Sequence, residues 1–500
     1  MNQMSKLKAI QKIVDLTNLI ETGFDVIGIS NLSTLNKICK DDVKKSRGEF
    51  AGYFIENDEL VLFRDRLGAC NIYYAINGTL AYISTNPAWI AKTVKADANW
   101  SYILSDYMQF QISFTEDTFF AGVNKVMPGT FVRINKKGLR KEKYWNIEFG
   151  NNGFDPKHLL GLMKDAVHYR LELLNGDNYT SYLSGGLDSS ISTILSKPNE
   201  CFSGFYEEEG YSEMDYIESI VSKSDFIKNY IKVEINQKNF QEMMSVFPEI
   251  LPDPCGGLGI LPQVLVAQEA KKHHYDFAFT GEGGDEIFLG YNWNTVMLTL
   301  AEAAKNLLRD RYMVRYEPMV EKTLNDGFPS LAGGLLSRGK DTSYATKRIL
   351  EFWDHNENVE NNVLNINLRV GLPAILTVDE YVGKYTGVTP VNPIMDHHIV
   401  EYVCSVDPRN RAPIPKFMMR EALKGILPEK VRMRYDKMGF PVPYQKWDWK
   451  LIRPMISSLA NRKIMDIDIS KHVTMNRETW ALYSIETWYQ YHYEKLRIHE

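Results

Sequence analysis

The sequence predicts an α/β protein in two parts: an antiparallel β-sandwich over residues 1–150 and a doubly wound parallel-sheet domain with added helices over 151–500. Three observations predict it. Short apolar runs separated by tight-turn residues fill the first part, strands alternate with helical segments in the second, and two glycine-rich turns there each follow a strand.

In the first part, Gly52-Tyr53-Phe54-Ile55, Leu60-Val61-Leu62-Phe63, Ile72-Tyr73-Tyr74-Ala75 and Ala81-Tyr82-Ile83-Ser84 read as strands. Asn57-Asp58 and Asn77-Gly78 lie between members of this set, and Asn-Gly is a strong two-residue hairpin signal. The turn-rich Phe149-Gly150-Asn151-Asn152-Gly153 marks the boundary. Beyond it, Tyr179–Leu183, Phe202–Tyr206, Tyr230–Ile235 and Phe277–Thr280 read as strands spaced by helices. Residues after Tyr291 read as mainly helical, packed on or beside the sheet.

The chemistry concentrates in the two glycine-rich turns. Ser184-Gly185-Gly186-Leu187-Asp188-Ser189-Ser190 joins a strand to an amphipathic helix, where glycines admit a close phosphate and the helix N-terminus favours an anion. No Walker-type lysine is present, which points away from γ-phosphoryl transfer and toward a turn that cradles pyrophosphate while the α-phosphate is attacked. The second turn is Gly281-Glu282-Gly283-Gly284-Asp285-Glu286, and in a parallel sheet both turns sit at strand carboxyl ends. Three carboxylates among three glycines repel one another without a cation nearby. Asp188 and Asp285 are therefore assigned to Mg²⁺, and Glu282 to acid–base work.

These two turns together resemble the ATP-pyrophosphatase domain of asparagine synthetases and their relatives. The resemblance extends through Arg64-Asp65-Arg66-Leu67-Gly68 with Tyr73-Tyr74, Met127-Pro128-Gly129 leading to Tyr144-Trp145, Pro393-Ile394-Met395-Asp396, and Lys437-Met438-Gly439-Phe440-Pro441-Val442-Pro443 up to Trp447. It implies an Ntn-hydrolase-like sandwich before the pyrophosphatase domain, and a ligase that adenylates a carboxylate with ATP, releases pyrophosphate, and lets an amine displace AMP. It implies ATP or pyrophosphate contacts from Ser184, Gly185, Gly186, Leu187, Asp188, Ser189, Ser190, Phe205, Gly281 and Gly283, and Mg²⁺ on Asp188 and Asp285. Glu282 then assists the amine, and Lys437 stabilises charge on the phosphate or the tetrahedral intermediate.

Two departures narrow the reading. Glutaminase domains of this family use an amino-terminal cysteine, whereas position 2 is Asn2, the first cysteine is the interior Cys39, and the segment before Arg47-Gly48-Glu49-Phe50 is short. The first part is accordingly expected to have lost glutamine hydrolysis, with Asp65 a structural turn residue, and nitrogen to come from free ammonia or an amine on a second substrate. Where the family has Glu-x-Arg-x-Pro-Phe-Leu-Asp, this chain has Thr389-Pro390-Val391-Asn392-Pro393-Ile394-Met395-Asp396, which puts aspartate as substrate in doubt. Beta-lactam-forming relatives carry tyrosine where Glu282 stands. An ammonia-using asparagine synthetase, a lasso-type macrolactam cyclase and a beta-lactam-forming cyclase stay open, as do a different ATP-pyrophosphatase and an inactive scaffold. The loop Pro252-Asp253-Pro254-Cys255-Gly256-Gly257 is read as shaping an acceptor pocket.

Composition sets outer bounds. The chain of 500 residues is 44% hydrophobic and 24% charged, ordinary for a globular protein with a sizeable core. A net charge of -5 gives no electrostatic case for nucleic acid or anionic lipid. Five scattered cysteines without a C-x-x-C spacing suit a reducing compartment and no structural zinc. No run approaches the ~20 apolar residues of a membrane span, and Met1-Asn2-Gln3-Met4 opens no signal sequence, so a cytoplasmic enzyme is expected. Its expected partners are a small-molecule or peptide carboxylate and an amine donor, with no nucleic acid and no membrane; a homodimer is left open. Lys416 and Arg420, at i,i+4, read more readily as a solvated basic helix face than as phosphate ligands, and His273-His274 and His397-His398 lack further ligands at zinc spacing.

Overall fold

A computed structural model describes residues 8–17, 19, 23–176, 178–308, 317–337, 341–436 and 442–499, with backbone alone at 307–308 and 317–326. Its first nine strands are β1 (Gln11–Asp15), β2 (Phe24–Ser30), β3 (Gly48–Glu56), β4 (Glu59–Arg64), β5 (Tyr73–Asn77), β6 (Leu80–Ser84), β7 (Asn124–Lys125), β8 (Thr130–Asn135) and β9 (Gly138–Lys143). They form two antiparallel sheets, ordered β2-β3-β4-β8-β9 and β1-β6-β5-β7.

Period-two patterning dictates how these sheets pack. In β3 and β4, Ala51, Tyr53, Leu60 and Leu62 face Tyr74, Ala81 and Ile83 of the other sheet across a shared core. Phe50, Phe54, Val61 and Phe63 turn the other way, into a second cluster closed by Leu32, Ile38 and Val43. Asn57 and Asp58 both take positive φ, as a two-residue turn from β3 to β4 requires, and the Asn77-Gly78 hairpin joins β5 to β6 as expected.

A five-stranded parallel sheet follows, made of β10 (Tyr179–Tyr182), β11 (Glu200–Phe205), β12 (Asn229–Glu234), β13 (Phe277–Phe279) and β14 (Thr389–Val391). Its order is β12-β11-β10-β13-β14. The region after Tyr291 is helical apart from β14, which the sequence reading did not anticipate. Pro390 obscures it, because proline is tolerated in a sheet only where its missing N–H is not needed, and β14 is an edge strand.

The two parts share a large interface. Tyr73, Ala75 and Tyr82 of the β5–β6 face lie in one apolar cluster with Tyr381, Trp480, Trp488 and Ile485 from the C-terminal helices. The Pro252–Gly257 loop packs into this interface. Asp253 is buried and accepts the Phe119 N–H at 2.9 Å, Gly256 donates to Gln111 O at 2.7 Å, and Trp488 Nε1 donates to Pro252 O at 2.9 Å. No helix among the described residues is long and apolar enough to cross a membrane.

Candidate active site

From β10 the chain winds outward through β11 to β12, then returns to place β13 on the other side of β10. Connections thus leave β10 and β13 in opposite directions, and at such a switch point α/β sheets open a crevice beyond the strand carboxyl ends. The two glycine-rich turns emerge there side by side. A Cβ on Gly281 would lie 2.4 Å from Ser189 N, and one on Gly284 would lie 2.3 Å from Asp188 Oδ1, so only glycine lets the turns approach this closely.

The first turn is internally braced. Ser184 N donates to Ser189 Oγ at 3.1 Å, the Ser184 and Ser189 hydroxyls meet at 2.9 Å, and Ser190 Oγ donates to Gly186 O at 2.5 Å. These hydroxyls set the turn's shape. Leu187 packs into the apolar core with Ile191. The helix Leu187–Ser196 starts at Gly186 without a side-chain cap. Phe205 ends β11, at the same edge of the sheet as both turns.

The two aspartates assigned to a cation come together. Lys416 Nζ lies 2.5 Å from Asp188 Oδ2 and 2.6 Å from Asp285 Oδ1. The expectation of a solvated basic face is corrected here: Lys416 and Arg420 are both buried, and helix Phe417–Ala422 packs on helix Pro156–Leu174. Arg420 donates to the carbonyls of Pro415, Arg432 and Arg434. Arg434 in turn donates to Gly185 O at 3.3 Å, pairs with Glu213 at 2.5 Å and lies over the Tyr216 ring, tying the base of the following loop to the first turn. Lys437 and Met438–Pro441, like Asn2, lie outside the described residues.

Glu282 is oriented by Gln263 of helix Ile260–Lys272, whose Nε2 donates to Glu282 Oε1 at 2.9 Å. Glu286 faces inward and takes a hydrogen bond from Tyr291; burial, reinforced by the Asp285 charge, pushes its carboxyl up to about 7. The sequence reading identified neither Gln263 nor Arg434 as part of the site. Helical spacing carries no signal for Gln263, which lies on an otherwise core-forming helix.

Behind the second turn sits a polar brace to the N-terminal part. Asn392 donates its N–H to Glu49 Oε1 at 3.2 Å and its side-chain amide to Asp379 at 2.9 Å, and accepts from Thr280. Arg170 bridges Glu49 at 3.3 Å and Asp396 at 3.1 Å, while Arg47 reaches Asp396 at 2.7 Å. Burial opposes ionisation of Asp396, but the His398 hydrogen bond and the two guanidiniums outweigh it and hold the carboxyl well below its usual range. Asp396, His397 and His398 do offer ligand atoms within 4.8 Å of one another. A metal there would add its charge to two arginines, so the cluster is an ion-pair hub. His273 instead meets Glu200 at 3.0 Å. Asp65 accepts the N–H groups of Leu67, Gly68, Ala69 and Cys70, and thus serves its own turn.

Fold and crevice define a two-part protein, an amidotransferase-like sandwich joined to a parallel-sheet domain with paired acidic turns. Comparison with known families agrees: the family model described as Asparagine synthase matches residues 158–490, and that described as Glutamine amidotransferase domain matches residues 31–145. The chain belongs to the asparagine synthase family. It is 25% identical to "Asparagine synthetase [glutamine-hydrolyzing] 1" of Bacillus subtilis, over 93% of this chain and 80% of that protein. It is 28% identical to "Putative asparagine synthetase [glutamine-hydrolyzing] 2" of Methanocaldococcus jannaschii, over 54% of each chain, and 22% identical to "Amidase chyE" of Penicillium rubens, over 89% and 77%.

Proposed function

We propose that this protein is an ATP-dependent, AMP-forming amide ligase that activates a carboxylate as its acyl-adenylate and joins it to ammonia or to an amine, without hydrolysing glutamine. The observation that carries the reading is the convergence of Asp188 and Asp285, from separate turns at the switch point, on one cationic atom. Two hard carboxylate oxygens that already share a cation are a fitting donor set for Mg²⁺, which takes one or two protein carboxylates and completes its shell with phosphate oxygens and water. Bound there, the ion would neutralise charge on the phosphates.

The chain's own residues do the remainder. The Ser184–Ser190 turn would cradle pyrophosphate while a carboxylate oxygen of the substrate attacks the α-phosphorus and the α–β bridging oxygen departs with pyrophosphate. An amine nitrogen then adds to the acyl carbon, its proton passes to Glu282, and the acyl–oxygen bond breaks to release AMP. Gln263 holds Glu282 for that transfer. Lys437, three residues after Arg434 in the chain, is assigned to charge stabilisation.

Loss of glutaminase chemistry is supported by the cysteines. Cys201, Cys255 and Cys404 are buried, with thiols pushed up to about 12 by burial, and Cys70 is buried within the Asp65 turn. Cys39 opens the helix Lys40–Lys45, and none of the five adjoins a free amine. We place the division between the two parts at residue 150, and the protein in a reducing cytoplasm, a reading supported by five scattered cysteines without a C-x-x-C spacing. A screen of small and peptide carboxylates for exchange of labelled pyrophosphate into ATP tests the proposal. Exchange with none, alongside hydrolysis of ATP to ADP, would sink it.

A further inference from the structure

We infer that Lys416 is the internal cation of the resting site: it holds Asp188 and Asp285 together before nucleotide arrives, keeps a free divalent ion out, and yields its place when metal and ATP enter together. The inference rests on the ATP-site reading above and adds an order of binding to it.

Three observations carry it. The ammonium touches both carboxylates at once, at 2.5 and 2.6 Å, and Lys416 is only 5% exposed. Its backbone is held to aim it: φ is +58°, a left-handed conformation costly for a side-chain-bearing residue, with its N–H on Phe288 O at 3.1 Å and its carbonyl accepting from Arg420 N at 2.9 Å. Space is also reserved for it. A Cβ on Gly290 would lie 2.0 Å from Asp285 Oδ1 and 2.3 Å from Lys416 Cε, so the end of the second turn is shaped around this pair.

The electrostatics give the consequence. Two converging carboxylates, Asp188 buried and Asp285 partly exposed, repel one another unless a cation lies between them. Lys416 places one positive charge between the two. A bare divalent ion entering beside it meets that ammonium at close range, whereas an ion that brings ATP phosphates carries negative charge for the lysine to turn toward. Metal alone should therefore bind poorly, and metal with nucleotide well.

Binding of Mn²⁺, read by electron paramagnetic resonance on the full chain with and without a non-hydrolysable α,β-methylene ATP, tests this. Wild-type protein should bind Mn²⁺ at least about tenfold more tightly with the analogue than without it. Lys416→Met, which keeps the stem volume, should bind Mn²⁺ alone about tenfold more tightly than wild type; Lys416→Gln, which keeps a donor, is the second neutral variant should the first misfold. Tight nucleotide-free Mn²⁺ binding by wild type, a measurement that needs no variant, would overturn the inference. So would an unchanged metal-only affinity in a folded neutral variant. The two readings fail separately: if wild type binds no Mn²⁺ even with the analogue, the ATP site falls and Lys416 with it, whereas normal analogue-dependent binding with unaltered variants removes the Lys416 role alone.

Discussion

Gln263 Nε2 donates to Glu282 Oε1 at 2.9 Å, which fixes one carboxylate oxygen of the residue that leads the second glycine-rich turn. The carboxylate that attacks ATP has no proton to lose, while the amine must shed one. Glu282→Gln should therefore slow amide formation by ~10²–10⁴-fold and spare pyrophosphate exchange. Gln263→Leu should act in the same direction by about 10–10²-fold, through misplacement of a retained carboxylate. Single-turnover amide formation beside exchange decides it; equal loss of both activities in Glu282→Gln would assign Glu282 to binding instead.

Asp188→Asn and Asp285→Asn should each abolish pyrophosphate exchange, since the proposed metal relies on these two carboxylates. Both variants should fold, as judged by circular dichroism. Lys437→Met should impair exchange and amide formation alike, by on the order of 3 kcal/mol if it stabilises phosphate charge. Exchange at the wild-type rate in either aspartate variant would remove that residue from the metal site.

Incubation with glutamine should release no glutamate. Asp65 spends both carboxylate oxygens on its own turn. Ammonium salts or an amine substrate should support product where glutamine does not. Glutamate release that survives replacement of Cys39 and Cys70 would contradict the assignment.

Stability should fall on the acid side of neutrality. Burial lowers both His397 and His492 to about 3, so the folded chain stays unprotonated at these sites while the unfolded chain takes up protons below about 6.5. Fewer protons on the folded state mean that stability is lost as pH falls, by about 2 kcal/mol per histidine between pH 8 and pH 5. His492 packs against Phe120 and Trp488, and His492→Phe should remove about half of that loss in urea titrations at the two pH values. An unaltered pH slope would show that His492 is protonated in the fold.

Asp396→Asn should cost about 3 kcal/mol at pH 7, because it breaks buried pairs with Arg170 and Arg47 and leaves them to Glu49 and Asp165 alone. The depressed carboxyl contributes stability above the unfolded value near 4, and that contribution fades as pH drops through the lower folded value. The gap between wild type and variant in urea midpoints should hold from pH 8 to about 4 and narrow below. A gap that widens with acid would contradict the ion-pair account.

What the sequence determined by itself was everything written in short windows. Apolar runs marked Gly52–Ile55 and Leu60–Phe63 as strands, Asn77-Gly78 closed a hairpin, and strand-glycine-helix junctions located Asp188 and Asp285 before any sheet order was known. Only the tertiary structure decided what those residues meet. Lys416 and Asp188 lie 228 positions apart in the chain, and no local pattern could couple them. Lys416 looked like a solvated charge because helical spacing reports a face, not what covers it. Gln263 found Glu282, and Asn392 found Glu49, because the order β12-β11-β10-β13-β14 and the interface with the antiparallel sheets set those neighbours. Local propensity is fixed by a residue and its chain neighbours, whereas a buried charge is settled by whichever partner the completed fold brings within hydrogen-bond reach, since desolvation without one is too costly to persist.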